Sequence, residues 1–304
     1  KYWISYKRRT HALFHLGRYE EALADVRKAL ELNPKDASSL TTIRPELVAR
    51  CPDEAFRQGL LKLADELVEK HGEKSHRRRE LHLGLGEWEL ARQGLGGLEE
   101  LTASATAHYR DHYYYGLCCL AQRDLAGYRQ GCGGILEQFA QTEDAAAANF
   151  VAWTCALHAD AVDDFGPAIE LAKAAVEQDG ENAQFQGTLG AILYRAGQNE
   201  EARSQLSTLA KQLEQPDRKA KSSPAYCWYF LAMAHQAVGE DKQAREYLAK
   251  ANKRTDKELA DDENPPPWNR RETLKLLRRE AQALIDTDAP GSNESSSAKQ
   301  SAKP

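Results

Sequence analysis

The chain has 304 residues, a formal net charge of −5 at pH 7, and 29% charged against 41% hydrophobic residues. That length buries a sizeable core as one solenoid or as two ordinary domains, and the mild charge leaves no electrostatic footprint for nucleic acid. No apolar run approaches the roughly eighteen residues that cross a bilayer as a helix. The first residue is Lys1, so an upstream signal or membrane segment stays open, and the expected compartment is the cytoplasm.

In chain order, Trp3 to Pro34 reads as two amphipathic helices meeting at Gly17, with Ala22, Val26 and Ala29 on one stripe of the second. Thr42 to His71 keeps Ala55 and little else of that pattern. The stretch GLGEWELARQGLGG, residues 84–97, raises the question of a phosphate loop, but Glu89 stands in the third glycine's place of G-x-G-x-x-G and would repel the phosphate. Neither a β-branched run before it nor Lys-Ser/Thr after it supports a nucleotide site.

The glycines read better as joints. Gly17-Arg-Tyr-Glu-Glu-Ala22 recurs as Gly86-Glu-Trp-Glu-Leu-Ala91, Gly197-Gln-Asn-Glu-Glu-Ala202 and Gly239-Glu-Asp-Lys-Gln-Ala244, each between two apolar helical stretches. With Ala22, Ala55, Ala91, Tyr128, Ala168, Ala202 and Ala244 as markers, the phrase returns at intervals near the roughly 34 residues of a helical hairpin. Small residues at Gly190/Ala232 and Ala202/Ala244 are expected to let paired helices approach closely. QPDRKAKSSP, residues 215–224, is a polar insertion, and residues 254–267 form an acidic, proline-ended linker. Residues 268–286 place Leu274, Leu277, Ala281 and Leu284 on one stripe under a coat of arginines, as a capping helix would. Residues 287–304 are small and polar and are expected to be disordered.

These phrases resemble the tetratricopeptide repeat, W-x-x-L-G-x-x-Y followed by A-x-x-x-F and a closing proline. Ala22, Val26, Ala29 and Pro34 match its second half, with Arg9 and Thr10 where leucine and glycine are usual, and Ala183 to Lys253 carries the most specific pair of units. The resemblance implies an all-α, right-handed superhelical solenoid of about seven hairpins over residues 1–253, with 42–71 degenerate, closed by the capping helix. Together with PPPWNRRETLKLLRREAQALI, the array is also similar to the C-terminal repeats of large bacterial multidomain proteins with a serine/threonine kinase or WD40 blades upstream. No H-R-D, D-F-G or V-A-I-K occurs in this chain.

The implied function is a non-catalytic protein-interaction scaffold that binds a peptide or partner domain in a concave groove. An intramolecular regulatory or spacer module of a kinase-bearing or propeller-bearing parent is the alternative, and a metal enzyme or hydrolase on helical hairpins the third. No nucleophile motif, cofactor fingerprint or metal-ligand spacing is present: His11/His15 and His108/His112 each lack a third ligand, and the six cysteines read as reduced core residues. No catalytic, cofactor or metal residue is therefore assigned, and neither nucleic acid nor membrane is expected as partner. The resemblance places Lys7, His11 and Phe14 on the groove, then Tyr113, Leu117 and Leu120, and finally Tyr194, Arg195, Tyr226, Tyr229, Met233 and Gln236. Lys7 stands alone there, which argues against a clamp for a terminal carboxylate. On the helix after residue 224, Tyr226, Tyr229 and Met233 are expected to face the ligand, while Trp228, Leu231 and Ala232 hold the fold.

Overall fold

The computed structural model describes residues 2–34, 37–71, 76–103, 108–215 and 222–286, and every regular element among them is helical. Most of the polar insertion and all of the 287–304 tail lie outside the described residues. The helices are α1 (Tyr2–His15), α2 (Tyr19–Leu32), α3 (Pro45–Arg50), α4 (Glu54–His71), α5 (His76–Leu85), α6 (Trp88–Gly94), α7 (Gly97–Ala103) and α8 (Tyr109–Ala121). They continue as α9 (Leu125–Phe139), α10 (Ala145–Ala156), α11 (Gly166–Gln178), α12 (Ala183–Arg195), α13 (Asn199–Leu213), α14 (Pro224–Ala237), α15 (Asp241–Leu259) and α16 (Trp268–Asp286).

The joints explain why the chain folds into antiparallel pairs. Gly17, Gly86, Gly197 and Gly239 all have positive φ, between 72° and 82°. After each, the next amide reaches back five residues: Arg18 to Leu13, Glu87 to His82, Gln198 to Leu193 and Glu240 to His235, all at 2.9–3.0 Å. A left-handed residue is what lets a helix end with its last carbonyls satisfied. The α8–α9 joint makes the same bond, Asp124 to Cys119 at 2.9 Å, with Arg123 in the glycine's place at φ 62°. Asp124, Asp144, Asn182 and Ser223 then accept amide hydrogen bonds at the starts of α9, α10, α12 and α14.

The repeat markers fall as expected with one exception. Ala22, Ala91, Tyr128, Ala168, Ala202 and Ala244 are all fully buried. Ala55 is exposed, and its neighbour Phe56 takes the buried place. The sequence Cys51-Pro52-Asp53 breaks the chain before α4, Asp53 caps the restart through Phe56 N at 2.9 Å, and that shifts the inward face by one residue. Helix α15 runs through Leu259, so the expected linker begins six residues later than residue 254.

The described residues divide into two units, the first within 2–128 and 261–269, the second within 129–260 and 270–286. In the first, Leu13, Phe14, Val26, Ile43, Val48, Phe56 and Leu60 form the centre of a core. Arg9 and Thr10, irregular for the repeat, are accommodated there. Arg9 forks onto Asp25 of α2 at 2.5 and 2.6 Å, and the buried Thr10 hydroxyl donates to Tyr6 O at 3.0 Å. The 261–269 segment is fastened to the same unit: Arg44 donates to Pro265 O, Arg50 to Asp262 at 2.5 Å, and Trp268 N to Glu46 at 3.1 Å. The Trp268 ring lies 5.0 Å from Tyr114 and 6.0 Å from Trp88.

In the second unit α10–α11, α12–α13 and α14–α15 are successive hairpins. Gly190 shows the close approach its size permits, since a Cβ there would stand 2.5 Å from Leu206 of α13. Ile135, Ala148, Val151, Leu171 and Phe185 pack the start of this unit.

Candidate functional site

Helices α10, α12 and α14 are the leading helices of their hairpins and carry an aromatic face. The Trp153 ring lies 5.4 Å from Tyr226 and 6.1 Å from Phe230, and Tyr194 meets Phe230 edge-on at 6.0 Å. Residues 270–286 of α16 lie against this face. At one end Tyr226 OH donates to Arg270 O at 3.4 Å. Further along, Arg278 reaches Tyr229 OH at 3.1 Å, Asn252 O at 2.8 Å and Asp256 at 2.8 Å. Glu280 takes both terminal nitrogens of Arg195, one of them at 2.7 Å. The contacts thus pass from the start of α14 to the end of α12, a diagonal across the face.

Arg195 is the pivot of this site. Its side chain is 1% exposed, its Nε donates to Ala156 O at 2.8 Å, and its guanidinium lies 5.2 Å from the Phe230 ring and 5.5 Å from Tyr194. Carboxylate, carbonyl and two ring faces together satisfy a buried cation. Burial pushes the Tyr194 phenol above its ordinary pKa. The Tyr229 hydroxyl sits among Asn252, Thr255 and Arg278, with contacts of 3.0, 2.9 and 3.1 Å. From α16, Leu274, Leu277, Ala281 and Ile285 are buried. The stripe therefore ends in Ile285 and not Leu284, which is 42% exposed.

The residues expected on a groove separate into three groups. Tyr194, Arg195, Tyr226 and Tyr229 come together beside α16, with Met233 buried on the same helix and Gln236 half-buried near its end. Tyr229 and Met233 are 0% and 1% exposed, so the expectation that this side of α14 is open in the lone chain is corrected. Phe14, Tyr113, Leu117 and Leu120 are likewise buried, Phe14 with its ring 5.4 Å from Phe56 and 5.5 Å from Tyr19. Lys7 and His11 line an open depression of about 590 Å³ in the first unit, with Trp3, Ile4, Arg8, Ser38, Thr41 and Thr42. Lys7 donates to Ser38 at 2.6 Å and lies 5.3 Å from the Trp3 ring centre.

Trp153, Phe230, Arg278 and Glu280 are site residues the sequence reading missed. Trp153 occupies α10 much as Tyr226 and Phe230 occupy α14, so aromatic phase alone could have found it; the Arg195–Glu280 pairing has no sequence signal. The two histidine pairs differ. His11 and His15 approach to 3.3 Å between Nε2 atoms, whereas His108 caps α8 through Arg110 N and His112 is buried. Among the described residues, no group of three or more His, Cys, Asp or Glu gathers as a metal cage. All six cysteines are buried and unbridged, and burial pushes the Cys118 and Cys227 thiols up to about 12.

Family models described as tetratricopeptide repeat match residues 4–36, which cover α1 and α2, and residues 161–222, which cover α11 to α13. At these two places the chain is similar to tetratricopeptide repeats. A solved tetratricopeptide repeat protein from Parabacteroides merdae ATCC 43184 is 14% identical, over 92% of this chain and 98% of that one, with a TM-score of 0.49. No curated protein matches.

Proposed function

We propose that the chain is a non-catalytic protein-interaction module whose leading-helix faces receive a helical or extended segment of a protein partner. Tetratricopeptide repeats generally mediate protein–protein interaction. The observation that carries the proposal is the seat in the second unit, where an aromatic bed and a buried arginine hold a helix by its side. Aromatic and arginine side chains are the residue types that dominate binding energy at protein interfaces. In the first unit the α1 face is open, lined by Trp3, Lys7 and His11, with Tyr2 82% and Ile4 40% exposed beside it. The occupant of the second face belongs to the same polypeptide, which supports docking within one chain as a second mode of use.

The test is selection of displayed 20-residue peptides against the purified full chain. Enriched peptides are expected to lose at least about tenfold in affinity, or about 1.4 kcal/mol, when Trp3 is replaced by alanine and Lys7 by glutamate together. Selection that enriches nothing, or peptides indifferent to that double variant, would overturn the assignment of the α1 face.

A further inference from the structure

We infer that the α12–α14 face is a selective helix-binding site whose resident, α16, stands in for a partner helix of the same chemistry. That chemistry is an amphipathic helix with apolar residues at the spacing of Leu274, Leu277, Ala281 and Ile285, and a glutamate one position before the third. The inference deepens the interaction-module reading and rests on it.

The argument begins with Arg195. A helix meant only to complete a core is held as well or better by apolar packing, because an ion pair removed from water loses in desolvation most of what it gains in attraction. Here a guanidinium with 1% exposure is kept under the helix, and Glu280 takes it in bidentate fashion. Such a pair adds little net stability but discriminates strongly, since a helix without the carboxylate leaves a buried cation unpaired. Arg278 adds a second reading point, on Tyr229 OH, Asn252 O and Asp256. The face therefore reads both register and charge.

Placement of the resident supports exchange. It reaches the seat only after the 261–269 segment, which is fastened to the first unit through Arg44, Arg50 and Trp268. Helix α16 thus competes as a tethered ligand, with an effective concentration in the millimolar range for a short connection. A free helix of equal intrinsic affinity is masked by that tether until α16 is weakened. A free peptide must also order itself into a helix on binding, which lowers its apparent affinity further.

The experiment uses the full chain and a fluorescent peptide of residues 268–286, read by anisotropy. Wild-type chain is expected to bind it weakly. Glu280→Arg sets two guanidiniums against each other, releases α16, and is expected to tighten peptide binding at least tenfold, with faster amide exchange over 274–285 and retained protection in α12–α15. Adding Arg195→Glu to that chain is expected to restore α16 to its seat and return peptide binding to the wild-type level. The single Arg195→Glu chain is expected to prefer a peptide carrying Glu280→Arg over the native one. A Glu280→Arg chain that keeps its protection yet binds the peptide no better than wild type overturns the inference, as does binding indifferent to Arg195. Should Glu280→Arg lose the fold, Glu280→Gln serves with an expected threefold gain, and no gain there overturns it equally. Peptides selected on the α1 face report on the broader reading separately, because none of these substitutions touches Trp3, Lys7 or His11.

Discussion

Arg123 occupies, at φ 62°, a position that four other joints give to glycine. A non-glycine residue there carries roughly 1–2 kcal/mol of strain, while glycine's freer unfolded chain gives back about 0.4–1 kcal/mol. Arg123→Gly is therefore expected to stabilise the chain by about 0.5–1 kcal/mol in urea unfolding; an unchanged or lower midpoint would show the strain to be relieved elsewhere. The converse applies at Gly197, where nothing lies within 4 Å of an added Cβ, so only the backbone objects. Gly197→Val is expected to lower stability by roughly 1–2 kcal/mol. A second joint feature is electrostatic. His235 Nδ1 and Glu240 Oε2 meet at 2.5 Å across the α14–α15 joint, and Arg203 lies 3.0 Å from Glu240. The hydrogen bond from His235 is the main reason the Glu240 carboxyl is held below the usual glutamate range, with Arg203 assisting. A carboxyl whose folded pKa is depressed contributes stability above its unfolded pKa, near 4.3, and that contribution disappears as pH falls through the folded value. Glu240→Gln is thus expected to destabilise at pH 7 and to match wild type at the acid end of that window; parallel losses at both pH values would refute the linkage. These joints were legible in the sequence because each is a local signal, a glycine five residues before an alanine. Arg123 escaped because it breaks the composition while keeping the geometry.

At the scale of the element, α14 shows where periodicity stops being informative. The spacing of Trp228, Leu231 and Ala232 marks one inward side, and Tyr226, Tyr229 and Met233 mark the other, but there too Tyr229 and Met233 are buried and Tyr226 is half-buried. Its sequence AYCWYFLAMAHQA is apolar all round, and a helix of that kind is covered on every side. The missing information was the cover itself, because an apolar stripe on residues 268–286 says that a helix packs and not where. Tyr229 makes the difference measurable. Tyr229→Phe keeps the ring but leaves Arg278, Asn252 and Thr255 without their shared hydroxyl, an expected loss of roughly 1–3 kcal/mol. Tyr229→Ala also empties the ring's volume and is expected to lower stability by about 3–5 kcal/mol. Near-equal melting of wild type and Tyr229→Ala would mean that α16 does not cover this helix in solution.

For the whole molecule, the repeat period counts hairpins along the chain, and the contacts group those hairpins into two units, the boundary falling inside α9 after Tyr128. The period could not reveal this, since it is blind to residues 261–269 returning to the first unit. That return depends on Glu46, Arg44 and Arg50 meeting a backbone amide, a carbonyl and an acidic loop more than two hundred residues away. Stacked repeats gain most of their stability from nearest neighbours, so damage is expected to spread along adjacent hairpins first. Ala202 offers the cleanest lesion. It is fully buried on α13, within a hairpin where Gly190 already brings α12 against Leu206, so Ala202→Arg forces a long charged chain into a close crossing. Hydrogen exchange is expected to show amides of α12–α15 losing protection while those of α1, α2 and α4 keep theirs. Loss of protection in all of these helices together would show that the two cores unfold as one cooperative body. Retained protection in α12–α15 would show that the crossing tolerates the arginine and that Ala202 does not mark the repeat's inward face.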